Sequence, residues 1–195
     1  MPSLQKILNH PLFNVAFFIA VRQLTKNWNL DAPEYLTMLR ALYLGSQITI
    51  ILLAYWLISV VQKKNDKTPL RYVEPASTGW DGNETSDQLV NTTFMEYDTA
   101  EIKKTIKQTM TGVAIVTFLH LQFKYVQPLL LQSILGFKTF LMTKEARIHI
   151  WREKAIGDLR RPFRVEAPFG MVPESRQPKV DKGSIKRAEK ALKAQ

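Results

Sequence analysis

The chain of 195 residues contains no cysteine, and its three histidines are scattered along it. The absence of cysteine excludes disulfides, thiolate zinc sites and thiol nucleophiles. The sequence also lacks a glycine-rich phosphate loop, a serine elbow and the H-E-x-x-H zinc motif. We therefore expect no catalytic residues, no metal site and no cofactor, and we do not expect an enzyme.

Negative charge is scarce, because 17 acidic residues face 27 lysines and arginines and leave a net charge of +10. The excess is concentrated in the tail from Lys144 onward, which carries 14 basic and seven acidic residues. The segment 62–109, in contrast, holds seven basic and eight acidic residues. A basic tail of this kind is typical of a cytosolic segment that meets phosphate-bearing partners.

Charged side chains (Asp, Glu, Lys, Arg and His) are absent from one long stretch, residues 41–61. As a helix these 21 residues would extend roughly 31 Å, which matches a hydrocarbon core of roughly 30 Å. A continuous apolar run without strand-like alternation indicates a helix, since only a helix or a closed barrel satisfies its own backbone in lipid. The alternative, a long core helix of a soluble protein, normally shows a polar face. We therefore predict a transmembrane helix over 36–61.

A second apolar run, residues 13–21, is too short to span a bilayer comfortably. A cleaved signal peptide is disfavoured, because Arg22 and Lys26 follow where small residues should precede a cleavage site. We predict an uncleaved short helix over about 7–24 that lies tilted in the membrane or against it. A polar turn with interfacial aromatic residues then leads into the main span.

Basic residues flank the main span unevenly. Four of them follow it within ten positions: Lys63, Lys64, Lys67 and Arg71. The positive-inside rule then places the end of the span in the cytosol and its start in the lumen, with 62–97 as an irregular cytosolic loop. Two glycosylation sequons, at Asn83 and Asn91, favour the opposite orientation, because glycans are added in the lumen. The charge asymmetry is the stronger indication.

A capping box at Asp98 and Glu101 precedes apolar residues that recur at helical spacing. This pattern predicts a helix over 98–126 that begins in water and enters the membrane. Pro128 then separates a second apolar arm over 128–142. Because basic residues lie at both ends of this region, an even number of crossings is required, and we predict a helical hairpin. A single crossing with a lumenal tail is the alternative.

Together these segments predict an all-α, multi-span membrane protein with one full transmembrane helix, a short N-terminal membrane helix and a C-terminal helical membrane hairpin. Residues 1–142 form its membrane domain, and residues 143–195 form a basic cytosolic tail that is partly disordered. Within the tail, 144–164 is amphipathic and basic. The proline-spaced segment 165–182 cannot bury a core and is expected to be flexible.

The chain closes on a predicted helix that Ser184 caps. Basic side chains would coat this helix: Lys186, Arg187, Lys190 and Lys193. We expect the helix to dock on ribosomal RNA or on anionic lipid headgroups by counterion release. The alternative is a solvated tail without a partner.

Three residues in or beside the apolar runs are candidates for a functional polar face: Arg40, His120 and Lys124. His120 and Lys124 are four residues apart and so lie on one face of their helix. Such a face is a candidate to line a groove that eases polar parts of a client segment into the bilayer. The alternatives are a plain interhelical contact and, for Arg40, snorkelling to the interface.

A series of short blocks in collinear order, across roughly 36–164, carries a family resemblance. The blocks are Arg40-Ala41-Leu42-Tyr43, Tyr72-Val73-Glu74-Pro75, Tyr97-Asp98, Glu101-Ile102, Thr111-Gly112, His120-Leu121, Lys124-Tyr125, Pro128-Leu129, Gln132-Ser133-Ile134, Ile148-His149 and Gly157-Asp158-Leu159-Arg160-Arg161-Pro162-Phe163. Through them the chain resembles a fungal family of endoplasmic-reticulum membrane proteins, known as inorganic phosphate transport protein or third component of the SRP-independent targeting (SND) pathway.

The resemblance implies residence in the endoplasmic-reticulum membrane and association with the Sec translocon and other membrane subunits of the targeting pathway. It implies help in targeting or inserting client membrane proteins that the signal recognition particle does not serve. It supplies no catalytic residues. The expected partners are therefore the translocon, the targeting subunits, client proteins and membrane lipids, with the ribosome reached through the basic tail.

Two further functions stay open. The first is a small subunit needed for phosphate transport or transporter maturation, in which Arg40, His120 and Lys124 would contact the anion. So few spans make a poor transport pathway, and the sequence shows no repeated halves. The second is a purely structural subunit. At the level of fold alone, the predicted arrangement is analogous to Oxa-type insertases, which also have three core spans, a lumenal start and a cytosolic end.

Overall fold

The computed structural model describes Leu8 and residues 11–28, 32–76, 87–165 and 173–193. Most of these residues are helical, and they include a two-stranded sheet and two 3-10 turns. In chain order the elements are α1 (Pro11–Leu24), α2 (Pro33–Lys64), β1 (Pro69–Glu74), β2 (Gln88–Thr93), α3 (Phe94–Phe123), α4 (Gln127–Leu141), α5 (Lys144–His149), the 3-10 turns Gly157–Leu159 and Glu174–Arg176, and α6 (Lys182–Lys193).

The central element is α2, a helix of 32 residues. Pro33 lies in its first turn, where the missing backbone N–H is harmless, and Asn65 ends it in the left-handed conformation with a φ of 48°. Within the described residues, α2 is the one helix long and apolar enough to cross a membrane. The predicted span 36–61 lies inside it, and three further residues extend the helix at each end.

Both α3 and α4 pack along α2, and they contact each other much less. Two apolar clusters fix the directions of the three helices. The cluster near the start of α2 contains Tyr43, Val116 and Leu129. The cluster near the end of α2 contains Leu57, Ile102 and Phe140. The chain therefore runs back along α2 in α3 and forward again in α4. Thus α3 is antiparallel to α2, and α4 is parallel to it.

The outward faces of α2 and α3 carry large apolar side chains that are exposed. They include Leu44, Ile48, Leu52, Tyr55 and Trp56 of α2 and Ile115, Phe118 and Leu121 of α3. A soluble monomer rarely exposes apolar surface on this scale. The helical bundle thus has the surface expected of a membrane domain.

The segment 62–97, predicted as an irregular loop, contains a β-hairpin, so that prediction and the all-α expectation are wrong here. β1 and β2 pair antiparallel over their full length. Leu70 and Tyr72 of β1 pack against Tyr97 at the start of α3. The strands were missed because each has only six residues and the buried positions do not alternate cleanly in either.

The helix α3 begins four residues earlier than predicted, at Phe94 rather than Asp98. The Thr93 hydroxyl accepts a hydrogen bond from the Glu96 backbone N–H (3.3 Å), and the Glu96 carboxylate accepts one from the Thr93 N–H (3.1 Å). This capping box directly follows β2, so the end of the strand determines where the helix starts. The predicted box with Glu101 is not used, and Asp98 is buried instead.

The later boundaries follow local backbone chemistry. α3 ends at Phe123, before the predicted residue 126, because Lys124 adopts the left-handed conformation with a φ of 58°. α4 follows after a three-residue turn, with Pro128 in its first turn. α1 occupies the later part of the predicted range 7–24, of which residues 7, 9 and 10 lie outside the described part of the chain.

The tail packs back on the sheet. Val73 and Lys179 form a β-bridge with backbone hydrogen bonds of 2.8 and 3.0 Å, and α6 lies against both strands. Asp181 caps α6 in place of the predicted Ser184, because its carboxylate accepts a hydrogen bond from the Ser184 N–H at 2.7 Å. Part of the predicted flexible segment 165–182 lies outside the described residues.

Candidate functional site

A polar groove lies between α3 and α4, where both helices face α2. Its inner part is a cavity of about 300 Å³. Amide and hydroxyl side chains dominate its polar lining: Gln47, Thr105, Gln108, Thr109, Gln132 and Thr139. Because α3 and α4 pack on α2 rather than on each other, the space between them stays open.

Two glycines shape the groove from opposite sides. At Gly136 of α4 a Cβ atom would lie 2.8 Å from Ile50 Cδ1, so glycine allows α4 to approach α2 closely. At Gly112 of α3 a Cβ atom would meet nothing within 4 Å. α4 is therefore held against α2 while α3 leaves the groove open.

Gln47 extends the polar lining of the groove into the apolar part of α2. This residue is buried, and its side-chain amide donates to the Gln132 carbonyl oxygen at 3.3 Å and to the Ser46 hydroxyl at 3.4 Å. It lies 14 residues before Val61, which corresponds to roughly 21 Å along the helix axis. Hydrogen-bonding groups thus line most of the length of the span.

The groove opens into a larger cavity of about 830 Å³, which we call the groove mouth and which shares Thr105, Gln108 and Thr139 with it. The mouth carries charges of both signs, among them Lys104, Lys138, Glu101 and Glu145. Burial, assisted by nearby carboxylates, raises the pKa of Glu145 to about 7. The mouth therefore offers donors, acceptors and one carboxyl group that titrates near neutrality.

The residues of the predicted polar face divide between two places. Arg40 Nε donates to His120 Nε2 at 3.0 Å, and His120 Nδ1 donates to the Tyr125 carbonyl oxygen at 3.0 Å. These two bonds require the neutral imidazole with its proton on Nδ1. Lys124 is exposed and lines a separate cavity at the α3–α4 turn. None of the three predicted residues lines the polar groove.

The predicted docking residues of the tail share one surface of α6. An ion pair between Arg71 of β1 and Glu189 ties this helix to the sheet. The outward side chains are exposed and form what we call the basic face: Lys186, Arg187, Lys190 and Lys193. The sheet thus fixes the direction in which the basic face points.

A buried charged cluster, which we call the tail anchor, joins α3 to the tail through Asp98, His149 and Arg161. Asp98 is 1% exposed and accepts hydrogen bonds from Arg161 Nε (2.6 Å), Arg161 Nη2 (2.5 Å) and His149 Nε2 (2.6 Å). Burial acts to raise the pKa of Asp98, but the hydrogen bonds from His149 and Arg161 outweigh it and hold that pKa below its ordinary value. The Arg161 guanidinium also lies 4.7 Å from the centre of the Phe94 ring.

Aromatic packing surrounds the tail anchor. The Tyr97 ring meets Tyr72 and Phe163 edge-on, with ring centres 5.8 and 5.4 Å apart. The Tyr97 hydroxyl accepts a hydrogen bond from the Phe163 backbone N–H at 2.8 Å. Tyr97, Tyr72 and Phe163 also line the groove mouth, so the anchor supports one of its walls.

The tail anchor was missed at the sequence level, although each of its members lies in a block that carries the family resemblance. The signal was an aspartate, a histidine and an arginine placed among apolar and aromatic neighbours. Its meaning depends on contacts across 51 and 63 residues of sequence, which no local pattern reports. The groove was missed for the same reason, since its glutamines and threonines come from three separate helices.

Comparison with known proteins places the chain among relatives of nearly equal length. It is 36% identical over 188 residues to SRP-independent targeting protein 3 of Saccharomyces cerevisiae, covering 94% of this chain and 96% of that protein. It is 34% identical over 186 residues to the SRP-independent targeting protein 3 homolog of Schizosaccharomyces pombe, covering 95% of this chain and 94% of that protein. No solved structure matches the chain.

A third relative, an uncharacterized protein of Schizosaccharomyces pombe, is 36% identical over 157 residues, covering 80% of this chain and 76% of that protein. The family described as Phosphate transport (Pho88) matches residues 8–195. The family resemblance of the sequence blocks is thereby confirmed, and the chain belongs to the Phosphate transport (Pho88) family.

Proposed function

We propose that this protein resides in the endoplasmic-reticulum membrane and assists SRP-independent targeting and translocon-coupled insertion of membrane proteins. Two relatives of similar length are named for SRP-independent targeting. The observation that carries the insertion role is the polar groove beside the apolar helix α2. Neither the family nor these names point to an enzyme.

The proposed topology places the sheet, the tail and the end of α2 in the cytosol. α2 crosses the membrane once, and α3 and α4 cross it as a hairpin. α1 lies along α4, where Asn14 accepts a hydrogen bond from Lys138 at 3.0 Å. Lysines at the end of α2 and in the first turns of α3 lie at the same end of the bundle as the basic tail, which supports this orientation through the positive-inside rule.

The two sequons are proposed to be unused. Asn91 lies in β2, and its side-chain oxygen accepts a hydrogen bond from Arg71 Nε at 2.7 Å. Thr93, the hydroxyl residue of this sequon, caps α3. A glycan on Asn91 would therefore be linked to a side chain that pairs with Arg71 of the neighbouring strand. Asn83 lies outside the described residues.

The groove addresses the main obstacle to inserting a client, which is the transfer of its polar groups into lipid. An amide or hydroxyl without a partner costs about 2–7 kcal/mol in an apolar medium. Amides such as Gln108 and Gln132 both donate and accept, so they can replace water for either kind of client group. The apolar part of the client meanwhile partitions into the lipid beside the open edge of the groove.

The proposed partners follow from the cytosolic surface. The basic face of α6 carries four cations in one direction, which suits an RNA backbone such as ribosomal RNA. The Sec translocon and other targeting subunits are proposed neighbours of the bundle because of the relatives' pathway. Lipids and client segments would cover its exposed apolar faces.

The alternative, a small component of phosphate transport, is favoured only by the family description. It would require Arg40, His120 and Lys124 to converge on one anion. In the fold both ring nitrogens of His120 are already hydrogen-bonded, and Lys124 lines a different cavity. The geometry therefore supports the insertion role better.

Site-specific photocrosslinking tests the groove directly. A photoreactive amino acid at position 108 faces the groove, and one at Met110 lies at nearly the same depth but about 200° round the helix. With ribosome-stalled client segments in microsomes, we expect strong crosslinks from position 108 and weak ones from position 110. Equal crosslinking at both positions, or none at 108, would show that the groove does not receive clients.

Insertion assays provide the matching functional test. Gln108→Leu should lower the insertion of clients with polar residues in their spans, and should spare clients with wholly apolar spans. Gln122→Leu changes an exposed glutamine of the same helix that does not line the groove, and it should have no effect.

Protease protection of a C-terminal tag in sealed microsomes, with glycosidase treatment, tests the topology. A protected tag or a glycan on Asn91 would contradict it.

A further inference from the structure

A basic cavity lies at the end of the bundle opposite the tail. It has a volume of about 560 Å³ and separates the end of α1 from the α3–α4 turn. Arg22, Lys26 and Lys124 line it, and among the residues that the structure describes no aspartate or glutamate does. All three side chains are exposed, and none forms a hydrogen bond or an ion pair in the described part of the chain. The described residues of the cavity thus gather three positive charges and supply no counter-charge.

The remaining walls of the basic cavity are amphipathic. Phe18 and Leu131 supply apolar surface from α1 and α4. Trp28 and Tyr125 are about three-fifths exposed and line its outer part. Tryptophan and tyrosine are the residues that favour the level of lipid headgroups, where one side of the ring is apolar and the other is wet.

The start of α4 adds to the positive potential of this cavity. Gln127 and Pro128 belong to its lining, and the N-cap residue Val126 provides no side-chain acceptor. The positive end of the helix dipole is therefore not compensated by a capping side chain. The effect is secondary to the three cationic side chains and has the same sign.

We propose that the basic cavity binds the phosphate group of a membrane phospholipid, with the acyl chains lying along Phe18 and Leu131. The anion reduces the repulsion among the three cations across the cavity. It also links α1, whose main contacts in the fold are with α4, to the α3–α4 turn. The inference rests on the bundle crossing the bilayer and not on client insertion, so the two proposals fail independently.

Lipid binding by the purified full chain in detergent tests the proposal. The probe is phosphatidic acid with a fluorescent acyl chain, and acyl-labelled diacylglycerol serves as the phosphate-free counterpart. The test variant combines Arg22→Gln, Lys26→Gln and Lys124→Asn, since asparagine tolerates the left-handed backbone at position 124. The control variant removes the same charge at the other end of the bundle: Lys63→Gln, Lys64→Gln and Lys67→Gln.

We expect the affinity for labelled phosphatidic acid to fall about fivefold for each cation removed and about 100-fold in the triple variant. The control variant should bind as the wild type does, and diacylglycerol should not bind. An equal loss in both triple variants, or no loss in the test variant, would overturn the proposal. Displacement of the lipid by millimolar inorganic phosphate would also overturn it and would identify free phosphate as the ligand. If the triple variant does not fold by circular dichroism, Lys26→Gln alone must show the fivefold loss.

Discussion

Replacing Asp98 by asparagine should detach the tail while the helical bundle stays folded. The substitution keeps the shape of the side chain but removes the charge that Arg161 and His149 contact. The Arg161 side chain is only 5% exposed, so its charge would be left buried without a partner. Removing one member of a buried ion pair costs about 3–5 kcal/mol. The equilibrium constant for detachment of the tail from the bundle should therefore rise by roughly two to three and a half orders of magnitude.

The contacts that remain are of similar strength. Burial of Phe163 and Leu159 contributes about 1.5–3 kcal/mol each, and the backbone hydrogen bond from Phe163 to Tyr97 contributes about 1 kcal/mol. Because the penalty is comparable to this sum, the detached state should become much more populated in Asp98→Asn. The apolar clusters that hold α2, α3 and α4 together contain no member of the tail anchor, so the packing of these helices should persist.

Hydrogen exchange measured by mass spectrometry reports the detachment. The peptide that covers residues 157–165 contains the Phe163 N–H, which Tyr97 protects in the wild type. Its exchange should accelerate by the factor given above, and exchange in the apolar part of α2 should not change. Asp158→Asn, an exposed aspartate of the same segment, serves as the control and should leave exchange unaltered. Unchanged exchange in Asp98→Asn would refute the anchoring role, and acceleration throughout α2 would show that the cluster stabilises the whole bundle.

Three further changes test other parts of the structure. The pKa of Glu145 rises from 4.5 to about 7 on folding, so protonation favours the folded state and the wild type should lose about 3 kcal/mol of stability as pH rises from 4.5 to 7. Glu145→Gln should remove this loss, as thermal unfolding at pH 5 and pH 8 would show. Gly136→Ala should destabilise the bundle by about 1–3 kcal/mol through its clash with Ile50, whereas Gly112→Ala should be neutral or stabilise it by up to about 1 kcal/mol; urea titration of the detergent-solubilised protein compares the two. Glutamine at all four positions of the basic face should weaken ribosome co-sedimentation and flatten its log–log salt dependence by about 0.7–0.9 per charge removed; unchanged co-sedimentation would contradict RNA docking.

The sequence predicts α2 well because its determinants are local. An uninterrupted apolar run, Pro33 at the start and lysines at the end all act within the helix itself. The start of α3 illustrates the limit of this reasoning. Two candidate capping boxes lie close together, at Thr93 and at Asp98, and both satisfy the same local rule. The choice depends on where β2 ends, and β2 exists only because a partner strand some 20 residues away pairs with it.

The candidate functional residues also divide into those that a local pattern reveals and those that only the fold reveals. Arg40, His120 and Lys124 were selected because charge in an apolar run is conspicuous, yet the fold uses two of them for a contact between helices. The residues of the groove are uncharged, and a single glutamine in a helix does not stand out. Only the arrangement of α2, α3 and α4 around one space makes Gln47, Gln108 and Gln132 a common surface. Polar sites in membrane bundles are for this reason easier to recognise in a fold than in a sequence.

The tail anchor and the groove mouth share a wall, which couples the tail to the proposed activity. Phe163 and Tyr97 line the mouth, whereas Asp98, His149 and Arg161 lie behind them and do not. Asp98→Asn should therefore lower the insertion of polar clients although the groove lining is unchanged. In the double variant with Gln108→Leu, the loss of insertion should be smaller than the sum of the two separate losses. The reason is that a mouth without its wall no longer delivers clients to Gln108. Normal insertion by Asp98→Asn, in a sample whose tail is detached by hydrogen exchange, would show that the wall is dispensable and that the groove receives clients from the side open to lipid.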